Sequence, residues 1–327
     1  MNIIVKLQDD NILEGLSVKG LKDRIARKNA STSFFAFAEE QIKELKKAGR
    51  LGTARSYYTT LNVLKTFNRN KDLQFKALNY KFLTSFETDH ISKGLSYNGL
   101  AVYMRTIRSL YNKAIKAGLV EGELYPFKDY KVKTVPTSKR ALGWEQFKRI
   151  IVLELAPDHE CFDARNYFVA SYLMYGMNFA DMAYLRKSNI IGGRIKYRRQ
   201  KTSKLYDIKI TEMLGKIFEH YQSAERDYIF PILKRDTLVL QDRDIMWARK
   251  RYNKKLKVIA QLCGIEENLT SYVSRHSFAT QAMLKQVPIN AISAMLGHSS
   301  IKTTEIYLKS LPSETLDDYN ERITQNT

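Results

Sequence analysis

Tyr272-Val273-Ser274-Arg275-His276-Ser277-Phe278-Ala279-Thr280 is followed by Leu296-Gly297-His298-Ser299-Ser300 and then by Thr303-Thr304-Glu305-Ile306-Tyr307-Leu308. Arg275, His298 and Tyr307 are polar groups set into apolar, helix-forming sequence, and their separations suggest one site built from three short helices. A cation and an imidazole can hold a charged phosphorane while a phenol attacks it, which is equipment for phosphoryl transfer without a metal. Each residue also has a plainer reading. Tyr307 is one of 20 tyrosines, most of which must pack with a wet hydroxyl. His298 after Gly297 equally reads as the exit of a helix over 289–296. Arg275 and His276 equally read as a buried structural pair, and His276 is given a supporting role.

Taken in order, Arg-His-Ser-Phe-Ala-Thr, then Leu-Gly-His, then Thr-Thr-Glu-Ile-Tyr resembles the C-terminal signature of tyrosine site-specific recombinases, the phage integrase family. Three linked motifs in the right order over roughly forty residues are far more specific than any one of them. The resemblance implies that Arg275 is the second catalytic arginine, that His298 holds the scissile phosphate and that Tyr307 is the nucleophile. It also implies that Lys201, at the turn of a hairpin, protonates the leaving 5′-hydroxyl, with Lys204 as its rival.

Two positions depart from that pattern. The family places its first catalytic arginine two residues after a glycine, with an acidic residue three further on. Here the glycine is Gly176 and the acid Asp181, but the arginine position is Asn178. Asn178 can donate a hydrogen bond to a phosphate oxygen but brings no charge, and with Asp181 it also makes good sense as a helix N-cap and its N3 partner. The missing charge is expected from another cation, such as Arg165 or Arg186, or from the remaining donors. Three residues before Arg275, where the family carries histidine or lysine, stands Tyr272. Its hydroxyl can hydrogen-bond a phosphate, but with a pKa of about 10 it is a poor base near neutrality.

The remainder of the chain fits a polyanionic partner. With 54 Lys and Arg against 34 Asp and Glu among 327 residues, the net charge is +20, which favours nucleic acid through counterion release. Such a charge alone would also suit a ribosomal or membrane-surface protein. Cys161 and Cys263 show no metal or redox spacing, and no apolar run approaches the roughly 20 residues needed to span a bilayer. The expectation is a soluble, cytoplasmic protein of a reducing compartment.

In chain order, residues 1–30 read as an N-terminal arm or the remnant of an arm-binding module, with a strand-like run at Ile3-Ile4-Val5-Lys6-Leu7. Residues 31–130 read as a helical unit, with helices from 34 to 48, 54 to 67, 79 to 93 and 96 to 118. On the last of these, Leu100, Tyr103, Met104, Ile107, Leu110, Tyr111 and Ala114 share one face, while Arg105, Arg108, Asn112 and Lys116 share another. Between Ile91 and Val120 there are five basic residues and no acidic one, so this face is assigned to phosphate contacts. Residues 131–140, which include Lys139 and Arg140, read as a basic linker. Residues 141–327 form the second unit. It is expected to hold a helix over 163–173, a hairpin pairing Ile195 and Tyr197 with Tyr206, Ile208 and Ile210, a basic helix over 242–263 and a tail helix over 310–322.

The expected fold is therefore mainly α, with a small β-hairpin or sheet in the catalytic domain, arranged as a two-domain clamp on DNA. The resemblance implies a recombinase that cuts and rejoins double-stranded DNA at a specific core site through a 3′-phosphotyrosine. It implies no ATP, metal or other cofactor, and assembly as a homo-oligomer, a tetrameric synapse, on DNA from a mobile element. Opposed to this stands a DNA-binding protein of the same fold that lost the chemistry, for which Asn178 and Tyr272 speak. A third possibility is a relaxing enzyme of the type IB topoisomerase kind.

Overall fold

Ser33 accepts a hydrogen bond from the Ala36 amide at 3.1 Å and so starts α1 (Phe34–Lys47). The apolar face of α1, Phe34, Phe35, Phe37, Ala38, Ile42 and Leu45, is buried. Gly49, at φ +69°, turns the chain into α2 (Leu51–Phe67). Gly52 lies inside the first turn of α2, so the helix starts earlier than its apolar periodicity indicates. Asn79 caps α3 (Tyr80–Ser92) by accepting from the Phe82 amide at 3.0 Å, and Ser96 caps α4 (Tyr97–Lys116) by accepting from Gly99 at 3.2 Å.

The computed structural model describes residues 33–137, 140–200, 203–222 and 227–307, together with positions 317, 320, 321, 323 and 324. The N-terminal arm, Lys139, Lys201 and most of the tail helix lie outside the described residues. The chain divides into two compact units, Met1–Pro136 and Thr137–Thr327.

In the first unit, α4 buries Leu100, Met104, Ile107, Leu110, Tyr111 and Ala114 and leaves Arg105, Arg108, Asn112 and Lys116 exposed, which is the division its sequence foretells. The core is aromatic: Phe75 meets Phe34, Phe37 and Tyr111 edge-on, with ring centroids 5.3 to 5.8 Å apart. The segment leaving this unit is fastened to it. Lys133 pairs with the Glu87 carboxylate at 2.7 Å, and the Asn98 side chain bonds the Val135 carbonyl at 2.7 Å and its amide at 3.0 Å.

The second unit runs α5 (Trp144–Val152), α6 (Phe162–Leu173), α7 (Phe179–Ala183), β1 (Ile190–Ile191), β2 (Arg194–Arg198) and β3 (Leu205–Lys209). It continues with α8 (Glu212–His220), α9 (Leu238–Leu262), α10 (Val273–Leu284), α11 (Ile289–Leu296) and α12 (Lys302–Glu305). β2 and β3 pair antiparallel with Ile195 opposite Ile208 and Tyr197 opposite Tyr206. β1 adds a third strand, and two residues are too few to show a strand period in sequence. Helix α6 is buried on several sides, through Ala164, Tyr167, Phe168, Val169, Ala170 and Ser171. Against it lies α10, whose Ser274 hydroxyl donates to the Phe168 carbonyl at 2.9 Å, and this contact sets the position of the neighbouring Arg275. No helix among the described residues is long and apolar enough to cross a membrane.

Candidate active site

Arg275 is 3% exposed, and its guanidinium is gripped by two carbonyls from distant segments. It donates to Gly176 O at 2.9 Å and to Leu296 O at 2.5 Å, while its buried Nε has no partner among the described residues. The grip requires Gly176. Its φ is +67°, and a Cβ built there would lie 2.8 Å from the Arg275 Cα and 2.9 Å from its Cγ. The glycine of the sequence motif is thus a close-approach residue for the arginine helix.

Gly297 ends α11 in the left-handed region at φ +66° and passes the chain to His298, whose amide bonds Ser293 O at 3.0 Å. The helix-exit reading of this pair therefore holds alongside any chemical one. The His298 Nδ1 meets the Thr304 hydroxyl at 2.8 Å. Burial, with the nearby charges of Arg275, Arg199 and Lys204, pushes the imidazole down to about 4, so it is neutral at pH 7.

Tyr307 is 5% exposed and packs with Ala279, Ala282, Met283, Ile292 and Leu296. Its hydroxyl meets His276 Nδ1 at 2.9 Å. Burial pushes the phenol up to about 12, against the pull of the Arg275 charge. The sequence reading makes His276 a supporting, structural partner of Arg275; the His276 Nδ1 meets Tyr307 instead, while the Arg275 guanidinium bonds Gly176 O and Leu296 O. Tyr272, at the start of α10, is half exposed and sets its ring edge-on against His276, with centroids 4.8 Å apart.

Asn178 caps α7, accepting from the Asp181 amide at 3.0 Å, and its side-chain amide donates to the Asp181 carboxylate. Both ends of this side chain are engaged with Asp181. The capping account of Asn178 is sufficient for its presence.

Arg165 and Arg186, named as examples of a cation that could supply the missing charge, are both engaged by other groups. Arg165 donates to Ile151 O and Leu153 O and stacks on Phe162. Arg186 pairs with Asp227 at 3.0 Å and covers Tyr228. Beside His298, together with Arg275, stands the guanidinium of Arg199. Its Nε pairs with Asp181 at 3.2 Å, and it donates to Gly297 O at 3.0 Å, with a side chain only 12% exposed. Leu296 O and Gly297 O are consecutive carbonyls, so two guanidinium groups are anchored on adjacent residues just ahead of His298, and both act electrostatically on its imidazole. A signal existed in the sequence: Arg199 continues the alternation of the inward residues Ile195 and Tyr197, and a charge on the inward face of a strand calls for a buried partner.

Asp181 joins these parts. Besides Arg199 it accepts from the Tyr197 hydroxyl at 2.9 Å and from the Gln200 amide at 3.3 Å. Lys204 donates to Ala294 O at 3.1 Å and acts electrostatically on His298. Arg275, His298 and Tyr307 are therefore brought together, with Tyr272 at the rim behind His276 and Asn178 attached through Asp181. Arg105, Arg108, Asn112 and Lys116 belong to the other unit, and Arg140 is exposed on the chain ahead of α5.

Residues 33–132 match the phage integrase SAM-like domain, and residues 145–314 match the phage integrase family. The chain is 30% identical over 101 residues to the tyrosine recombinase XerD of Shewanella oneidensis, covering 31% of this chain and 32% of that protein. It is 26% identical over 234 residues to XerD of Staphylococcus saprophyticus, covering 70% of this chain and 77% of that protein. To the integrase of Escherichia phage P2 it is 25% identical, covering 68% and 58% of the two. The matched stretch thus spans from about a third to about three quarters of these relatives' lengths. Among solved structures, the Tn1549 transposon integrase in complex with a circular intermediate DNA shares the fold at a TM-score of 0.63 and 18% identity, over 89% of this chain and 100% of that one. The lambda integrase dimer bound to a core site does so at 0.58 and 17%, over 92% and 84%. With a helical domain preceding a catalytic domain that carries the Arg275, His298 and Tyr307 signature, this chain belongs to the phage integrase family of tyrosine recombinases.

Proposed function

We propose that this protein cuts and rejoins double-stranded DNA at a specific core site. Tyr307 attacks a phosphodiester to give a 3′-phosphotyrosine, and the covalent link conserves the bond energy for rejoining. Arg275 and Arg199 hold the non-bridging oxygens, and Lys201 protonates the 5′-oxygen that leaves. His298 acts as a neutral donor: with the Thr304 hydroxyl bonded to Nδ1, its Nε2–H is directed to the phosphate.

The observation that carries this reading is the pair of guanidinium groups on consecutive carbonyls. One buried and one largely buried cation beside a neutral imidazole are answered among the described residues by one carboxylate, that of Asp181. Such a site is short of negative charge, and a phosphodiester that becomes more negative in its transition state supplies it. Asn178 adds no charge and serves to cap α7 and orient Asp181; Tyr272 stands behind His276 at the rim.

On the same reading, residues 31–130 form the core-binding domain, whose Arg105, Arg108, Asn112 and Lys116 contact phosphates along α4. Residues 131–140 link it to the catalytic domain, with Lys139 and Arg140 reaching the backbone of the DNA, and residues 141–327 carry the chemistry. Strand exchange proceeds in a homotetrameric synapse, and the DNA is that of a mobile element.

The test is covalent trapping. The protein is incubated with nicked suicide duplexes drawn from the DNA that flanks its own gene, and denaturation-resistant adducts are sought. An adduct that disappears in Tyr307→Phe supports the reading. Tight binding with no adduct on any flanking segment refutes it in favour of a DNA-binding protein that has kept only the fold.

A further inference from the structure

We propose that His276 is the base that takes the phenolic proton from Tyr307 during strand cleavage. The proposal rests on the strand-cleavage reading above and adds to it the destination of a proton. Its ground is geometric: the His276 Nδ1 lies 2.9 Å from the Tyr307 hydroxyl, with the ring centroids 5.6 Å apart. In the tautomer that carries its proton on Nε2, the imidazole accepts from the phenol.

Tyr307 requires a base. It is 5% exposed, and burial holds it well above the ordinary tyrosine range, so water alone does not deprotonate it near neutrality. The position that would furnish an imidazole or amine, three residues before Arg275, is occupied by a phenol, Tyr272. His276 lies four residues after Tyr272, one turn along the same face of α10, and the two rings are in contact at 4.8 Å. The imidazole has in effect been moved by one turn.

His298 is unsuited to the task. Its Nδ1 is taken by Thr304, and burial beside Arg275, Arg199 and Lys204 makes it a weak base. The titratable groups that face His276 include Tyr272 from its own helix and Tyr307 from the segment after α12, and the Arg275 charge acts on the same phenol.

The step balances. The Tyr307 Oη forms a bond to phosphorus as its proton passes to His276 Nδ1; the bond from phosphorus to the 5′-oxygen breaks, and that oxygen takes a proton from a separate donor, the role proposed for Lys201. In rejoining, the 5′-hydroxyl gives its proton back to that donor as it attacks phosphorus, the bond from phosphorus to Oη breaks, and His276 returns its proton to the phenolate.

The experiment measures single-turnover adduct formation by the full chain as a function of pH, for the wild type, His276→Ala and His276→Gln. Each is assayed on an ordinary suicide duplex and on one with a 5′-bridging phosphorothiolate, whose sulfur leaves without a proton. Both variants are expected to bind the duplex with unchanged affinity and to cleave about 10² to 10⁴ times more slowly at neutral pH, the range for general acid–base catalysis. The loss is the same on both substrates and shrinks as pH rises, and added imidazole restores part of the rate to His276→Ala.

Wild-type rates and pH profiles in both variants overturn the assignment alone. So does faster cleavage, which would make the contact a restraint on Tyr307, and so does full recovery in His276→Gln, which would make it positional. A loss confined to the ordinary duplex overturns it in favour of leaving-group protonation. A wild-type chain that forms no adduct, or an adduct that survives Tyr307→Phe, overturns the strand-cleavage reading and this assignment with it.

Discussion

Removing the Arg199 guanidinium separates its part in chemistry from its part in folding. Arg199→Leu breaks the 3.2 Å ion pair with Asp181 and the bond to Gly297 O. A buried carboxylate that loses its cation costs about 3 to 5 kcal/mol. Asp181 keeps the Tyr197 hydroxyl, the Gln200 amide and the Asn178 side chain, so the low end applies, about 3 kcal/mol on that scale. In the double variant Arg199→Leu/Asp181→Asn the carboxylate is gone too, and most of that loss is recovered, which urea unfolding measures. Cleavage of a suicide duplex does not recover with it. It stays down by about 10² to 10³, the loss when one preorganised donor to a developing oxyanion is removed. Adding Asn178→Arg to the double variant places a guanidinium at the start of α7 and restores part of the rate. A double variant that is as stable as wild type and cleaves at the wild-type rate refutes the claim that Arg199 holds phosphate.

Gly176→Ala forces an alanine into φ +67°, a penalty of about 1 to 2 kcal/mol, and drives its Cβ to 2.8 Å from the Arg275 Cα. Urea unfolding should show a loss above that penalty, with slowed cleavage because Arg275 is displaced. For His298, the unfolded chain takes up the proton first, near the ordinary value of 6.5, while the folded chain resists until about 4. Its contribution to stability is complete above about 6.5 and is lost as pH falls through that window to about 4. His298→Gln should flatten the corresponding slope in urea midpoints against pH. Neutralising Arg105, Arg108 and Lys116 together should lower the slope of log affinity against log salt by about 2.7, at about 0.9 for each phosphate contact. A slope equal to that of wild type removes this face of α4 from the DNA interface.

Local and periodic information was legible in the chain. Ser33, Asn79 and Ser96 are strong N-caps and start α1, α3 and α4 where their residue types place them. The apolar stripe of α4 and the alternation of Ile195 and Tyr197 gave a helix face and a strand face, since side-chain direction follows backbone period. Strand β1 was illegible because two residues carry no period. The candidate nucleophile, imidazole and arginine were legible only as an ordered pattern of three motifs, not from any residue alone.

What the sequence could not give was the wiring between segments far apart in the chain. It showed that a cation was absent at Asn178, and the two arginines it offered instead are engaged with Ile151 and Leu153 and with Asp227. Arg199 is 18 positions from Asp181 and 98 from Gly297, and only the folding of the chain just after β2 against α7 and the end of α11 brings the three together. His276 likewise reaches Tyr307 across 31 positions. Composition, caps and periods are properties of neighbours in sequence and can be read there. Which guanidinium stands beside His298, and which imidazole touches the phenol, depend on side chains meeting after the chain has folded, and the tertiary structure alone decided them.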